Sequence, residues 1–443
     1  MNNVNRPVVA IVGRPNVGKS TLFNKFAGKR ISIVEDTPGV TRDRIFAEVE
    51  WLTKYFTLID TGGIDPDTED IILSQMRDQA VLAMDMAHVI LFIVDGKAGL
   101  TAADREVAQM LRRTKKPVIL VVNKIDSKSQ FDNVYDFYEL GLGNPFAVSG
   151  ANSMGLGDLL DEIVENFPEG LDTEYDEDII RVAITGKPNV GKSSILNNML
   201  GEERVIVSPI AGTTRDAVDT YLEKNGQKFL LIDTAGLRRK SKIYEKVEKY
   251  SVIRAMSAVD RADVVLIVID AEEGPTEQDT KVAGIAHDEG KACIFVVNKW
   301  DLLEKDNKTM QSYKADIRNK FPFMMYAPML FVSALTNQRM NKILDEVVFV
   351  ASEHSKRIST SALNDVIGEA VMLNQPPSDK GKRLKIYYGT QTDIKPPKFT
   401  LFINDKELTH FSYTRYLENK FRENFGFEGT SIRVEYKQKS NRK

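Results

Sequence analysis

The chain repeats four short segments in the same order at nearly constant spacing. Residues 10–21 read AIVGRPNVGKST, and residues 183–194 read AITGKPNVGKSS. The same offset of 173 residues relates GVTRD to GTTRD and LIDTGG to LIDTAG, while NKID and NKWD lie 175 residues apart. A shared order at almost one spacing indicates two copies of one domain in tandem.

Each copy alternates short apolar runs of strand type with amphipathic helical stretches. In the first copy we predict strands near 7–12, 45–50, 55–60, 88–95, 117–122 and 145–148, and helices over 18–27, 101–113 and 155–166. This alternation predicts an α/β fold in which parallel-rich sheets are flanked by helices. Ligands of such folds bind at the carboxyl ends of the strands.

Composition shifts divide the chain into four segments. We predict a first domain over 1–167, an exposed acidic linker over 168–179 (PEGLDTEYDEDI), a second domain over 180–355 and a C-terminal domain over 356–443. The last segment reads as a helix over 361–373, a Pro/Gly/Lys-rich loop over 376–383, two strands, a helix near 412–424 and a final strand. That order predicts a small α+β domain.

Charge is distributed unevenly along the chain. The net charge is −3, yet residues 356–443 hold 17 Lys+Arg against 10 Asp+Glu, a net +7, which leaves −10 for the rest. A basic domain on an acidic body favours contact with a polyanion, with a solvated charged surface as the alternative. The lone cysteine, Cys293, lies in an apolar run, where we expect a core residue in a cytoplasmic protein.

Targeting signals are not evident in the sequence. The N-terminus lacks a basic region followed by a long apolar stretch, and runs such as VILFIV are too short to span a bilayer. We therefore expect no membrane attachment, which disfavours a membrane-remodelling function.

Both copies carry a P-loop between an apolar strand and a helix. The glycines let backbone N–H groups wrap a phosphate, the lysine neutralises the β- and γ-phosphates, and the serine holds Mg²⁺. The predicted phosphate-contacting residues are Gly13, Arg14, Pro15, Asn16, Val17, Gly18, Lys19 and Ser20 in the first copy, and Gly186, Lys187, Pro188, Asn189, Val190, Gly191, Lys192 and Ser193 in the second.

An Asp-Thr-x-Gly motif ends a strand-type run in each copy. The carboxylate at such a strand end can reach Mg²⁺, usually through water, and a following glycine (Gly62 or Gly63 in the first copy, Gly236 in the second) can offer its N–H to a γ-phosphate. The predicted nucleotide-contacting residues here are Asp60, Thr61, Gly62, Gly63 and Ile64 in the first copy, and Asp233, Thr234, Ala235, Gly236 and Leu237 in the second.

Thr41 and Thr214 occupy equivalent places in GVTRD and GTTRD. A hydroxyl there completes the Mg²⁺ shell in the triphosphate state and loses its anchor on hydrolysis. The adjacent Thr213 is an alternative to Thr214. The candidate Mg²⁺ ligands are Ser20, Thr41, Asp60, Ser193, Thr214 and Asp233, and the candidate catalytic residues are Lys19, Thr41, Asp60, Gly63, Lys192, Thr214, Asp233 and Gly236.

An Asn-Lys-x-Asp motif follows a later strand in each copy and predicts selection of guanine. A carboxylate accepts hydrogen bonds from guanine N1–H and N2–H, whereas adenine would leave it unpaired. The base-contacting residues are Asn123, Lys124, Asp126 and Ser149 in the first copy, and Asn298, Lys299, Asp301, Ser333 and Ala334 in the second. An ATPase is disfavoured by the same argument.

The whole chain resembles the bacterial Der (EngA) family of double-Era-like GTPases. The resemblance is carried by GRPNVGKSTLFN, SPIAGTTRDAVD, LIDTAGLRRK and YLENKFRENFGFEGTSIRV. It implies two G domains followed by a KH-like domain, GTP hydrolysis with Mg²⁺, binding to ribosomal RNA and a role as a switch in maturation of the large ribosomal subunit. A monomer is expected, and an RNA-binding scaffold stabilised by nucleotide without turnover is the alternative function.

Catalysis raises a further alternative. Ras-like enzymes place Gln after the Asp-x-x-Gly motif to orient water, and Ile64 and Leu237, which stand there, cannot do so. Either each copy only binds GTP, or a cation supplies the positive charge that the transition state needs. In related GTPases a P-loop Asn helps to hold K⁺, and Asn16 and Asn189 match it.

Three further features have open interpretations. GFEG (426–429) matches the nucleotide-clamping GxxG loop of KH domains in letters, but it is predicted to lie between a helix and the last strand. The basic run Lys380, Lys382, Arg383 and Lys385 is a better RNA-contact candidate, or else a solvated loop. In LRRKSK (237–242) the basic residues either link nucleotide state to RNA or form a charged surface. The four histidines lack ligand spacing.

Overall fold

A computed structural model describes residues 7–27, 46–64, 72–168, 178–201, 205–208, 219–234, 248–304, 306, 308–376, 378–379 and 382–438. Thr41, Thr213, Thr214, Ala235, Gly236, Leu237, Lys380, most of the predicted linker and the rest of LRRKSK lie outside these ranges. The chain divides into two compact units, residues 1–177 and 178–443. The three predicted boundaries between the four segments stay predictions.

The first unit is built on a six-stranded sheet with the order β2-β3-β1-β4-β5-β6. Only β2 runs antiparallel to its neighbour. The elements are β1 Val8–Val12, α1 Lys19–Ala27, β2 Phe46–Trp51, β3 Lys54–Asp60, α2 Ile72–Met86, β4 Val89–Asp95, α3 Ala102–Leu111, β5 Val118–Asn123, β6 Phe146–Ala147 and α4 Leu156–Glu165. A 3₁₀ segment over Lys128–Leu140, which we did not predict, precedes β6.

Alternate residues of the central strands pack into two separate cores, one on each face of this sheet. Ile90 and Phe92 of β4 belong to one core, and Leu91 and Ile93 to the other. Burial on both faces explains why β4 reads as a continuous apolar run. The predicted α/β class and strand positions are confirmed.

The second unit contains a seven-stranded sheet with the order β13-β12-β11-β7-β10-β9-β8. Strands β8 and β9 are antiparallel additions to a parallel centre. The elements are β7 Ile179–Thr185, α5 Lys192–Leu200, β8 Val205–Ser208, β9 Thr220–Lys224, β10 Gln227–Ile232, α6 Glu248–Arg261, β11 Val264–Asp270, α7 Glu277–Asp288, β12 Ala292–Asn298, α8 Thr309–Lys320, β13 Met329–Phe331 and α9 Lys342–His354. Cys293 on β12 is fully buried, as predicted.

The same unit ends in a three-stranded sheet with the order β16-β17-β18. Its elements are α10 Thr360–Leu373, β14 Ser378–Asp379, β15 Lys382–Arg383, β16 Ile386–Asp393, β17 Lys398–Ile403, α11 Phe411–Phe425 and β18 Arg433–Gln438. The predicted α+β order is confirmed. The loop prediction over 376–383 was wrong in part, because β14 and β15 pair there as a short antiparallel hairpin.

The GFEG segment packs against the seven-stranded domain. The Gly429 carbonyl accepts a hydrogen bond from the Cys293 N–H at 2.7 Å, and the Gly429 N–H donates to the Tyr326 carbonyl at 2.9 Å. A Cβ on Gly429 would lie 2.4 Å from Val350 Cγ1, so this approach requires glycine. The segment lies between α11 and β18 as predicted and is occupied by protein contacts.

Among the helices in the described ranges, none has both the length and the apolar character needed to cross a bilayer.

Candidate nucleotide sites

The first P-loop follows the central strand β1 and lies close to the neighbouring strands. A Cβ on Gly13 would lie 2.3 Å from the Ile93 carbonyl oxygen. Gly18 has φ +96°, and a Cβ there would lie 2.3 Å from Asn123 Nδ2. Because neither position has room for a side chain, the glycines bring the loop against β4 and β5.

The second P-loop repeats this geometry. A Cβ on Gly186 would lie 2.4 Å from the Val268 carbonyl oxygen, and one on Gly191 would lie 2.1 Å from Asn298 Nδ2. Asn16 and Asn189, at the loop apices, both adopt left-handed conformations with φ of +65° and +64°. The two loops therefore share one backbone path.

The P-loop lysines are curled back onto their own loops. Lys19 Nζ donates to the carbonyl oxygens of Gly13 at 2.7 Å and Arg14 at 2.9 Å. Burial lowers the pKa of Lys19 to about 8, with Asp60 opposing the shift. Lys192 Nζ donates to the carbonyls of Gly186 and Lys187, and burial likewise lowers its pKa to about 8. A buried ammonium held by neutral carbonyls gains from a nearby anion such as a phosphate.

The first site joins its P-loop to the Asp-Thr-x-Gly motif. Ser20 Oγ donates to Asp60 Oδ2 at 2.9 Å, and the Gly62 N–H donates to Asp60 Oδ1 at 2.8 Å. Thr61 Oγ1 donates to the Ile11 carbonyl. A Cβ on Gly62 would lie 2.2 Å from Lys19 Cε. The hydroxyl and carboxylate predicted to hold Mg²⁺ thus lie together, with oxygen donors suited to a hard cation.

The second site holds its Asp-Thr-x-Gly motif differently. Asp233 adopts φ +56°, and its N–H donates to Asp219 Oδ1 at 2.9 Å. Arg261, at the end of α6, forms an ion pair with Asp219, and Thr234 and Thr220 share a hydroxyl hydrogen bond of 2.7 Å. An ion pair therefore positions the backbone of the predicted Mg²⁺ ligand in this site.

The Asn-Lys-x-Asp asparagines tie the base-side loop to the P-loop. Asn123 Nδ2 donates to the Val17 carbonyl at 2.8 Å, and Asn123 Oδ1 accepts from the Gly150 N–H at 2.9 Å. In the second site Asn298 Nδ2 donates to the Val190 carbonyl at 2.8 Å and its Oδ1 accepts from the Ala334 N–H at 3.0 Å. These asparagines act as structural links between loops.

Two aspartates that the sequence analysis missed orient the motif lysines. Asp95 Oδ2 accepts from Lys124 Nζ at 2.7 Å, and Asp270 Oδ2 accepts from Lys299 Nζ at 2.5 Å. Burial opposes ionisation of Asp95, but the hydrogen bonds from Lys124 and the local backbone outweigh it and lower its pKa. The signal was available, because Asp95 and Asp270 end matching apolar runs 175 residues apart.

The two carboxylates that are predicted to select the base differ in their hydrogen-bond partners. Asp126 accepts from Lys97 Nζ at 2.5 Å and from Ser149 Oγ at 2.6 Å, and these bonds lower its pKa. Asp301 Oδ1 is a buried oxygen with no hydrogen-bond partner among the described atoms. A buried acceptor without a partner costs free energy, so the two carboxylates have different surroundings.

Two protein-family models match parts of this chain. A family model described as "50S ribosome-binding GTPase" matches residues 8–124 and 181–299. A second model, described as "KH-domain-like of EngA bacterial GTPase enzymes, C-terminal", matches residues 357–437. Each of the two ranges that the first model matches contains one of the two P-loops.

Full-length relatives share the name GTPase Der. The protein of Alkaliphilus metalliredigens (strain QYMF) is 66% identical over 437 residues, 99% of this chain and 99% of the relative. That of Alkaliphilus oremlandii (strain OhILAs) is 63% identical, again over 99% of both chains. Among solved structures, Era in complex with MgGDPNP and nucleotides 1506–1542 of 16S ribosomal RNA is 23% identical over 59% of this chain and 94% of that chain, with a TM-score of 0.31.

Proposed function

This chain belongs to the Der family of GTPases, and on that premise we propose that GTP hydrolysis at its two sites switches its binding to the large ribosomal subunit during maturation. The family establishes two G domains, a KH-like domain and GTPase activity. A purely scaffolding protein without turnover does not fit this membership. The observation that carries the switch is the duplicated P-loop, with a lysine in each copy whose ammonium group donates to the carbonyls of its own loop.

The chemistry follows from groups that meet at the carboxyl ends of the strands. Lys19 and Lys192 each have an ammonium group that can leave its loop carbonyls for the β- and γ-phosphates. Ser20 and Asp60 would hold Mg²⁺ in the first site, with Thr41 as a further ligand, and Ser193, Thr214 and Asp233 in the second. Bound Mg²⁺ neutralises phosphate charge as it develops. Asp126 and Asp301 would select guanine.

Ile64 and Leu237 cannot orient the attacking water. We also propose that K⁺ supplies the positive charge that the transition state needs. Asn16 and Asn189 are exposed at the P-loop apices, where a cation could lie beside both the loop and the phosphates. Multiple-turnover phosphate release is expected to be at least about 10-fold faster in K⁺ than in Na⁺ at equal ionic strength. Equal rates in the two salts would refute the K⁺ role and leave the GTPase assignment intact.

The ribosomal role is tested by sedimentation with purified large subunits. We expect the protein to sediment with the subunit when loaded with a non-hydrolysable GTP analogue and to remain near the top of the gradient with GDP, because the γ-phosphate orders the segments that contact it. Small subunits provide the control. Equal sedimentation with analogue and GDP would argue against a nucleotide switch.

The same gradient addresses oligomeric state. We propose a cytoplasmic monomer, consistent with a buried lone cysteine. Free protein should sediment as a 49.8 kDa species at every nucleotide state.

A further inference from the structure

The three-stranded sheet of the KH-like domain has one face that its helices leave uncovered. Phe399, Leu401 and Ile403 of β17 pack into the core beneath α10 and α11. Side chains alternate along a strand, so Phe402 lies on the opposite face. In register with Phe402 are Tyr388 of β16 and Lys437 of β18. One row across this open face thus reads Tyr388, Phe402, Lys437.

Two aromatic rings form a stacked pair at this row, which we call the platform. The rings of Tyr388 and Phe402 stack with centroids 4.3 Å apart and an interplanar angle of 13°. Tyr388 is 42% exposed, and the neighbouring Tyr387 is 51% exposed. Every nucleobase has a flat face that stacks on such a ring, so the platform suits unpaired bases.

Two exposed lysines belong to the same part of this sheet. Lys437 is in register with Phe402, and Lys385 directly precedes β16, where its N–H donates to Asn404 Oδ1 at 2.7 Å. Within the described part of the chain, neither ammonium group forms an ion pair, whereas Lys398 on the same sheet is bound to Glu435 at 2.5 Å. Ammonium groups without an ion-pair partner near stacked aromatic rings favour the binding of a nucleic acid, which carries both phosphates and bases.

The GFEG segment, which matches the nucleotide-clamping loop of KH domains only in letters, is not free here. GFEG packs against the second G domain through Gly429, and its Phe427 is fully buried. RNA contact by this domain therefore needs another surface. The net charge of +7 over residues 356–443 is attractive to phosphates.

We propose that the open face centred on Tyr388 and Phe402 binds single-stranded RNA, with bases stacked on the rings and phosphates beside Lys385 and Lys437. This inference rests on the proposed ribosomal function, for which it identifies the RNA-contacting surface. Double-stranded RNA would bind more weakly, because its bases are already stacked.

The test is fluorescence anisotropy of the full chain with a labelled 12-nucleotide single-stranded RNA of mixed sequence. Tyr388→Ala is expected to raise Kd roughly 5- to 100-fold, the range for loss of one base–aromatic stack, while Tyr388→Phe keeps the affinity. Lys385→Glu with Lys437→Glu should reduce the slope of log Kd against log salt by about 0.7 per lost phosphate contact.

Matched controls come from elsewhere in the chain. Tyr135 and Tyr138 form another stacked pair, with centroids 6.4 Å apart, and Tyr135 is 69% exposed. Lys420 lies on α11, in the helix layer of the same domain. Tyr135→Ala and Lys420→Glu should leave RNA affinity unchanged, and GTP turnover in every variant should confirm that the chain is folded.

Three results would overturn the proposal. The first is an unchanged Kd in Tyr388→Ala, and the second is an equal loss of RNA affinity in Tyr135→Ala. The third is loss of subunit sedimentation in Tyr388→Ala with RNA affinity intact, which would mean that the face binds a ribosomal protein. Failure of the nucleotide switch is read separately, since it would show as sedimentation of the wild-type chain that is independent of GTP.

Discussion

Lys19→Ala and Lys192→Ala should each remove one of two GTP sites, and the double substitution should abolish turnover. Each lysine has its ammonium group already against the loop that would wrap the phosphates. Without it, no other side chain of that loop neutralises the β- and γ-phosphates from this position. We expect turnover at the altered site to fall by roughly 10²–10³-fold or more.

The measurement combines stoichiometry with rate. Equilibrium titration with a fluorescent GTP analogue should give two sites in the wild-type chain, one in each single variant and none in the double variant. Phosphate release then assigns the residual turnover of each single variant to the opposite site. Lys115→Ala is the matched control, because Lys115 is an exposed lysine of the first unit that lies outside the nucleotide-binding motifs.

A different stoichiometry would contradict the two-site interpretation. If both single variants still bound two nucleotides, neither lysine would be needed for occupancy. If either bound none, the two sites would depend on each other, and the independent reading of each P-loop would be wrong. Thermal melting without nucleotide should remain near wild type, because truncating the lysine removes the cost of desolvating its ammonium group, which offsets the loss of its hydrogen bonds to the loop carbonyls.

The repeated motifs made most of the fold and the phosphate side of the sites predictable. Apolar runs such as VILFIV mark strands that are buried on both faces, and a glycine-rich segment between strand and helix has few alternatives to a P-loop. Gly13 and Gly18 were predicted for phosphate contact, and the structure adds that they also let the loop approach β4 and β5. At Gly13 and Gly18 the sequence motif and the space available in the structure therefore both require glycine.

Long-range pairs that differ between the copies could not be predicted. Asp219 and Arg261 are 42 residues apart in sequence, and the corresponding residues of the first copy are Phe46 and Met86, which pack against an apolar core. A charged pair has replaced an apolar contact, so comparison of the copies gives no signal for it. The left-handed backbone of Asp233, which accompanies this pair, was equally hidden.

The base-selecting carboxylates offer the second large effect. Asp301→Asn is expected to weaken GTP binding at the second site by about 10³-fold and to favour xanthosine triphosphate. The asparagine amide group would face the guanine amino group, donor against donor. Xanthine has a carbonyl at that position, which accepts from the amide while N1–H still donates to the side-chain oxygen.

Asp126→Asn is the matched variant, and it should produce a smaller loss. Asp126 is already bound by Lys97 and Ser149, so guanine must displace existing partners, whereas Asp301 Oδ1 has none in the described structure. The residue that corresponds to Lys97 in the second copy is Glu272, which cannot pair with a carboxylate. The wild-type second site should therefore bind guanine nucleotides more tightly than the first.

Separate measurement of the sites uses the lysine variants as backgrounds. Asp301→Asn is tested in the Lys19→Ala chain and Asp126→Asn in the Lys192→Ala chain, each titrated with GTP, ATP and xanthosine triphosphate. A gain for the xanthine nucleotide requires the carboxylate to face the base edge, since a substitution that only loosened the fold would weaken all three nucleotides alike. Such a uniform loss would mean that guanine is recognised by another group. An equal loss in both variants would contradict the predicted difference between the sites and would mean that the unpaired oxygen of Asp301 has a structural origin.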